Sequence, residues 1–349
     1  DGQVFKNDIR PLKNPDERLF YDRDIYREYD SFFSDIEFEQ VMAGGGCPYS
    51  CSYCFNHKYR QMYEHAGKQK YSSLRSVDSV ITECCILKNK YKVKVVFFND
   101  STLGFNKEWL RNFSPAYKEK VDLPFTINAT ANEVDEEFCQ LVAATKRCFL
   151  IRIGVETGNE QFRAAVLRKP IANERYVRAI ELFNKYKIRY SMAIMLGLPG
   201  ETLDYAFETL DFMVRLKSKY SVVAVNIFKP FPLLDINEYG VRIGQYDKSV
   251  LDSEKYIGDN VMTYYDCLRK DPEGKKIIKL SRLAYMYLNF PIVRGMIKRK
   301  LIHTPDNRFY RLLYKYTEGF YTTRHHVKAS WQYVFKVLTK HRSKTIRGV

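Results

Sequence analysis

The chain has 349 residues, 45% of them hydrophobic and 28% charged, with eight cysteines and a formal net charge of +16. This composition excludes a disordered chain, and eight cysteines are too few for a disulfide scaffold at this length. No signal peptide opens the sequence and no run of about 18 uncharged apolar residues occurs, so a reducing, cytoplasmic setting is expected.

In chain order, residues 1–35 read as an irregular linker, with Pro11, Asn14 and Pro15 followed by Phe32 and Phe33. Because the sequence starts at Asp1, a preceding segment is expected. Residues 37–43 form a short strand that runs into Gly44-Gly45-Gly46 and a loop holding Cys47, Cys51 and Cys54. Residues 76–90 have helical spacing, residues 92–98 (KVKVVFF) are a strand, and Asn99-Asp100 follows it. The alternation continues with strands at 125–129, 149–155, 191–196 and 222–228. Helices fill 135–145, 174–186 (with Asn173 as its cap) and 203–216. Strands alternating with helices argue for a parallel sheet of βαβ units. The fold class expected is α/β: a partial (β/α)6 TIM-like barrel over residues 36–235, flanked by the N-terminal linker and by a mostly helical, basic region over 236–349 with helices at 275–288 and 308–316. Polar or glycine-rich motifs follow most of the strands, where barrel and open-sheet enzymes place their sites.

The cysteine loop poses the chemical question. Three thiols at C-x3-C-x2-C make an incomplete cage. Zinc wants four ligands in a closed site, and His57 could supply the fourth. A trio of core cysteines fits poorly with Pro48, Tyr49, Ser50 and Ser52 among them. A four-iron cluster held by three cysteines keeps one iron open to a small ligand.

The string GGGCPYSCSYCFN resembles the signature of the radical S-adenosylmethionine (SAM) superfamily, and is particularly similar to its cobalamin-binding subgroup. The resemblance covers roughly residues 15–235. It implies that Cys47, Cys51 and Cys54 hold a 4Fe-4S cluster whose open iron binds SAM, and that SAM is cleaved to a 5′-deoxyadenosyl radical. Tyr53 would then lie against the adenine. Asn99 or Asp100 would meet the SAM amino group, and Glu156, in IGVETGNE, would bind the ribose. In IMLGLPGET, Ile194 and nearby backbone would border the adenine, and Gly197 would leave room for the adenosyl group. Read without the family, Asn99-Asp100 is also ordinary turn chemistry and Thr202 a plain helix cap.

Two departures from the pattern stand out. Leu233 replaces a glycine that follows the second proline in FKPFP, and Thr130 replaces an arginine after the third strand. A charged SAM contact would have to come from elsewhere, and Arg168 is ranked before Arg152. Cys84, Cys85, Cys139, Cys148 and Cys267 show no cluster-like spacing and read as inert thiols. No cobalamin-binding histidine motif precedes the radical region. Cobalamin would come from a missing domain or a separate subunit, or this branch dispenses with it. The resemblance therefore implies hydrogen abstraction from an unactivated C–H position, with cobalamin-dependent methyl transfer favoured. Cobalamin-free oxidation, cyclisation or rearrangement is the runner-up, and a non-catalytic basic binding module is the reading from another class. An electron donor such as flavodoxin or ferredoxin is implied.

Residues 291–349 hold 14 Lys/Arg against 2 Asp/Glu, so the positive charge belongs to the tail. Pro291, Gly295, Pro305 and Gly319 are expected to break it into short helices. With Tyr310, Tyr314, Phe320, Tyr321, Trp331, Tyr333 and Phe335, the tail reads either as a helical cap with solvated charges or as a peripheral contact to an anionic membrane, which suits a lipid-like small-molecule substrate. No recognisable RNA-binding module argues for nucleic acid.

Overall fold

Short runs of β-branched and aromatic residues pair side by side into one parallel sheet. The computed structural model describes residues 7–17, 19–25, 38–65, 72–231, 233–245, 247–248, 271–305, 307–313 and 316. Six strands make the sheet: β1 (Phe38–Val41), β4 (Val95–Phe98), β5 (Phe125–Ala129), β6 (Cys148–Glu156), β7 (Tyr190–Leu196) and β8 (Ser221–Ile227). They lie in the order β1-β4-β5-β6-β7-β8, and every pairing is parallel. A two-residue ladder joins β2 (Gly44–Gly45) to β3 (Ser73–Leu74) beside the sheet. This is a six-stranded partial (β/α) barrel.

Helices cross between the strands: α2 (Val77–Asn89), α3 (Lys107–Ala116), α4 (Glu136–Ala144), α5 (Glu160–Ala165), α6 (Asn173–Lys185) and α7 (Leu203–Leu216). Ser76, Asn106, Asp135, Asn159 and Thr202 cap their helices with side-chain oxygens. Asn173 does not cap α6. It is the first helical residue, and its side chain reaches back to Gly158 O and Arg163. Alternation along the strands sends Val96, Phe98, Ile127, Ile151, Ile153, Met192 and Ile194 under the helices, each essentially fully buried. There Phe98, Phe113, Tyr117 and Phe125 pack edge to face. The other face carries Phe97, Asn128, Arg152, Gly154, Ala193 and Ala224, all only partly buried.

Helices 55–65, 107–116, 160–165 and 235–242 escape the sequence reading, the first because it grows directly out of the cysteine loop. We label Phe55–His65 α1 and Asp235–Arg242 α8. Past the barrel, α9 (Pro272–Asn289) lies against α7, and α10 (Pro291–Arg299) follows at once. Pro291 starts α10 rather than breaking it, since the first turn needs no donor there, and Gly295 lies inside the helix. Residues 308–313 are helical as expected. Among the described residues no helix is long and apolar enough to cross a membrane. Phe32, Phe33, Cys267, Tyr314, Gly319 and the tail aromatics from Phe320 to Phe335 lie outside the described residues.

Candidate functional site

The cysteine loop hangs over the C-terminal ends of the strands and is tied down at several points. Asp100, buried just past β4, accepts from Ala43 N at 2.8 Å and Gly44 N at 2.7 Å, and so holds the chain where it enters the loop. Burial raises Asp100 to about 6, against the two amide donors. Both of its oxygens face backbone. Asn99 instead turns its amide to Gln40 at 3.1 Å. Mid-loop, Tyr49 donates to Glu133 Oε1 at 3.0 Å and accepts from Thr130 Oγ1 at 3.1 Å. Glu133 also takes hydrogen bonds from Thr102 and from Thr130 N. Farther along, Ser52 is bonded to Val166 O, Leu167 O and Ile236 N. Glu133 was not anticipated from sequence; its place opposite Tyr49 depends on how the end of β5 folds back.

Cys47, Cys51 and Cys54 are all free and partly buried. Burial pushes the Cys47 thiol up to about 11, and charge on Cys54 and Cys51 adds to the shift. Burial also raises Cys51, against the pull of the Lys169 cation. Three unpaired thiols within eight residues can hold a metal centre as thiolates, the metal's charge offsetting the cost of ionising them there. Among the described residues, no three His, Cys, Asp or Glu side chains converge on a single ion. His57 is turned away to Asp235 at 3.2 Å, which removes the proposed fourth zinc ligand. A cubane offers a separate iron to each thiolate and needs no such convergence. The residues present fit a cluster better than zinc.

Facing the loop, β6 ends on Glu156, buried and in the left-handed region at φ 68. A non-glycine residue held there costs about 1–3 kcal/mol, a strain associated with functional positions. Its Oε1 accepts from Tyr53 OH at 3.0 Å and Lys169 Nζ at 2.9 Å, and Lys169 also donates to Gly154 O at 2.6 Å. Burial alone would lower Lys169, but the Glu156 carboxylate outweighs it and holds the lysine above its ordinary value. A Cβ on Gly154 would collide with the Glu156 carboxylate, so only glycine lets this corner close.

The neighbouring Arg168 goes elsewhere. At φ 49 and half exposed, it donates to Asp235 Oδ2 at 2.5 Å. Lys58 joins the same carboxylate. Burial would raise Asp235, yet the hydrogen bonds from Lys58 and Arg168 hold it below the usual carboxylate range. The cation beside Glu156 is thus Lys169, which the sequence did not single out, while Arg168, ranked first there for a SAM contact, pairs with Asp235. Nothing in Leu-Arg-Lys-Pro says which of two adjacent cations turns inward.

Ile194 is fully buried on the helix side of β7, so its side chain is in the main core, and Ala193 and Met195 occupy the alternate face. Its carbonyl accepts from Asn226 at 3.4 Å. Gly197 adopts φ 78, and its amide donates to Glu201 Oε2 at 2.5 Å. Glu201 is buried, its Oε1 has no partner, and burial raises it to about 8. The structure therefore brings Tyr53, Glu156 and the cysteine loop together, and places Arg168 and the Ile194 side chain outside that corner.

Comparison with known proteins agrees with the fold. Residues 41–213 match the family model of the Radical SAM superfamily. An uncharacterised protein of Methanocaldococcus jannaschii is 21% identical over 54% of this chain and 32% of its own length. The anaerobic magnesium-protoporphyrin IX monomethyl ester cyclase of Rubrivivax gelatinosus is 21% identical over 74% of this chain and 44% of its own. The radical S-adenosylmethionine methyltransferase TsrM from Kitasatospora setae, with cobalamin and a [4Fe-4S] cluster bound, superposes with a TM-score of 0.53 at 16% identity, covering 78% of this chain and 55% of that one. The chain spans a third to under half of the curated relatives it matches.

Proposed function

We propose that this chain, a radical SAM enzyme by virtue of the radical SAM domain at residues 41–213, uses cobalamin to transfer a methyl group to an unactivated carbon of a small-molecule substrate. The observation that carries the reading is the free thiol trio suspended over the strand ends and facing the buried Glu156–Lys169 pair. In this reading Cys47, Cys51 and Cys54 hold the 4Fe-4S cluster. When bound, the cluster and SAM supply one-electron cleavage of SAM and a radical that takes a hydrogen atom. Glu156 holds the ribose hydroxyls, with Tyr53 fixing its carboxylate. Lys169 supplies the positive charge at the SAM carboxylate that the family arginine, here Thr130, would otherwise give. Asp100 and Glu133 keep the loop in place while Asn99 remains open to the amino group.

Similarity of the cysteine loop to the cobalamin-binding subgroup, and the fold shared with TsrM, support cobalamin supplied by another domain or subunit. A second reading, radical oxidation or cyclisation, is favoured by the match of the cyclase to 74% of this chain. One experiment separates the two. The protein is reconstituted anaerobically, analysed for iron and sulfide, reduced, and incubated with SAM with and without hydroxocobalamin, which the reductant converts to cob(I)alamin, the acceptor of the SAM methyl group. Expected are four irons per chain, 5′-deoxyadenosine, and S-adenosylhomocysteine only with cobalamin. Deoxyadenosine alone under all conditions points to the second reading, and tight zinc without iron uptake defeats both.

A further inference from the structure

Arg152 lies on the same face of β6 as Gly154, because side chains alternate there and its neighbours Ile151 and Ile153 are buried under the helices. That face is the inside of the barrel. Arg152 lies four positions before Glu156 on β6, ahead of the register shift at Gly154 and Glu156, and its side chain extends to the end of β4. Its Nη2 reaches Phe98 O at 3.4 Å, a long hydrogen bond, and its Nε is buried without a partner. No carboxylate among the described residues pairs with it. Burial alone acts on it, lowering its pKa.

Arg163 shows how this fold satisfies a structural guanidinium. It is fully buried, donates to Thr157 O at 2.6 Å, to Ile171 O at 3.1 and 2.5 Å and to Asn173 Oδ1 at 2.7 Å, and stacks 4.8 Å from the Tyr176 ring. Arg152 has only the one long contact to Phe98 O. A desolvated guanidinium with an idle donor costs free energy unless an anion completes it. Its partners across the sheet, Asn128 and Ser191, are short polar residues that carry no charge.

The geometry points to Arg152 as the anchor for an anionic group, a carboxylate or a phosphate, on a small-molecule substrate seated in the barrel beneath the cysteine loop. The assignment rests on the functional reading above and adds the substrate's charge to it. A forked guanidinium matches either oxyanion in two parallel hydrogen bonds. Glu156 is already served by Lys169 and Tyr53, and Arg152 touches none of the three, which sets it apart from that corner.

The test uses reconstituted, unreduced full-length protein saturated with SAM, titrated calorimetrically with inorganic phosphate and, separately, with acetate. Wild type should bind at least one of them, and the stronger one names the oxyanion. Arg152→Gln should weaken that binding tenfold or more and leave SAM affinity within twofold. Arg178→Gln, on the exposed face of α6, should change neither. Arg152→Lys keeps the charge and should retain most of the binding, which tests the site should the glutamine variant fold poorly. No anion binding by wild type, equal binding by Arg152→Gln, or an equal loss in Arg178→Gln overturns the inference. So does a drop in SAM affinity in Arg152→Gln without added anion, which would give the arginine to SAM. Failure of the functional reading shows instead in wild-type iron content and deoxyadenosine, which the titration does not touch.

Discussion

Arg168 and Lys169 are adjacent cations, each paired with a carboxylate, in two very different surroundings. Lys169 lies inward, buried with Glu156, Tyr53 and the carbonyl of Gly154. Arg168 lies outward, half exposed over Asp235, which Lys58 and His57 also serve. Each member of the inward pair has one charged partner and little water, so neither charge can be lost without stranding the other. In the outward group Asp235 is also buried, but Arg168 is half in solvent and redundant, since Lys58 stays on the same carboxylate. Burial and redundancy, more than the number of ion pairs, decide what each charge is worth.

Removing the inward cation is the strongest way to probe that contrast. Lys169→Met should destabilise the protein by about 3–5 kcal/mol, because it leaves the buried Glu156 without its cation. SAM affinity should fall with it. Urea titration of wild type and variant checks the first, and equilibrium dialysis the second. A loss below about 1 kcal/mol would mean the inward pair is as screened as the outward one.

Glu201 sharpens the comparison, being a buried carboxylate with two amide donors and no cation. Its folded pKa, about 8, lies above the ordinary carboxylate value. The folded state therefore holds a proton that the unfolded state has released. Its contribution is fully present below about pH 4.5 and is lost as pH rises through about 8, at roughly 1.4 kcal/mol per unit for one proton. Glu201→Gln, whose amide oxygen can accept from the same two donors, should remove that slope. The difference in stability between variant and wild type, followed from pH 5 to 9, should grow in favour of the variant. A constant difference would show that Glu201 does not titrate there.

The smallest effect belongs to the outward arginine. Arg168→Ala should cost less than about 1 kcal/mol, since Asp235 keeps Lys58. SAM affinity should stay unchanged. A tenfold loss of SAM binding would return Arg168 to the site.

Most of the barrel was legible because its signals are local. The strand at 125–129 and the helix at 203–216 appear with the expected bounds, as hydrophobic runs and a Thr202 cap specify them with no help from distant residues. The helix at 55–65 was hidden, since its residues are mostly polar and it begins at a loop that other strands hold in place. Asn173 misled for a related reason. A good capping residue was drawn instead to Arg163 and Gly158, contacts made only once the β6–α6 loop closes.

By itself the sequence determined the order of strands and helices, the thiol trio and its spacing, and the carboxylate at Glu156, all of which are properties of short segments. The tertiary structure alone decided that Lys169 rather than Arg168 turns inward, that the Ile194 side chain enters the core, that Asp100 and Glu133 hold the cysteine loop, and that Arg152 faces the barrel interior without a counter-charge. The physical reason is that a charge or a hydrogen-bonding group takes its role from burial and from its partners, and both are set by segments far apart in the chain that meet only when the sheet curls and the loops close over it.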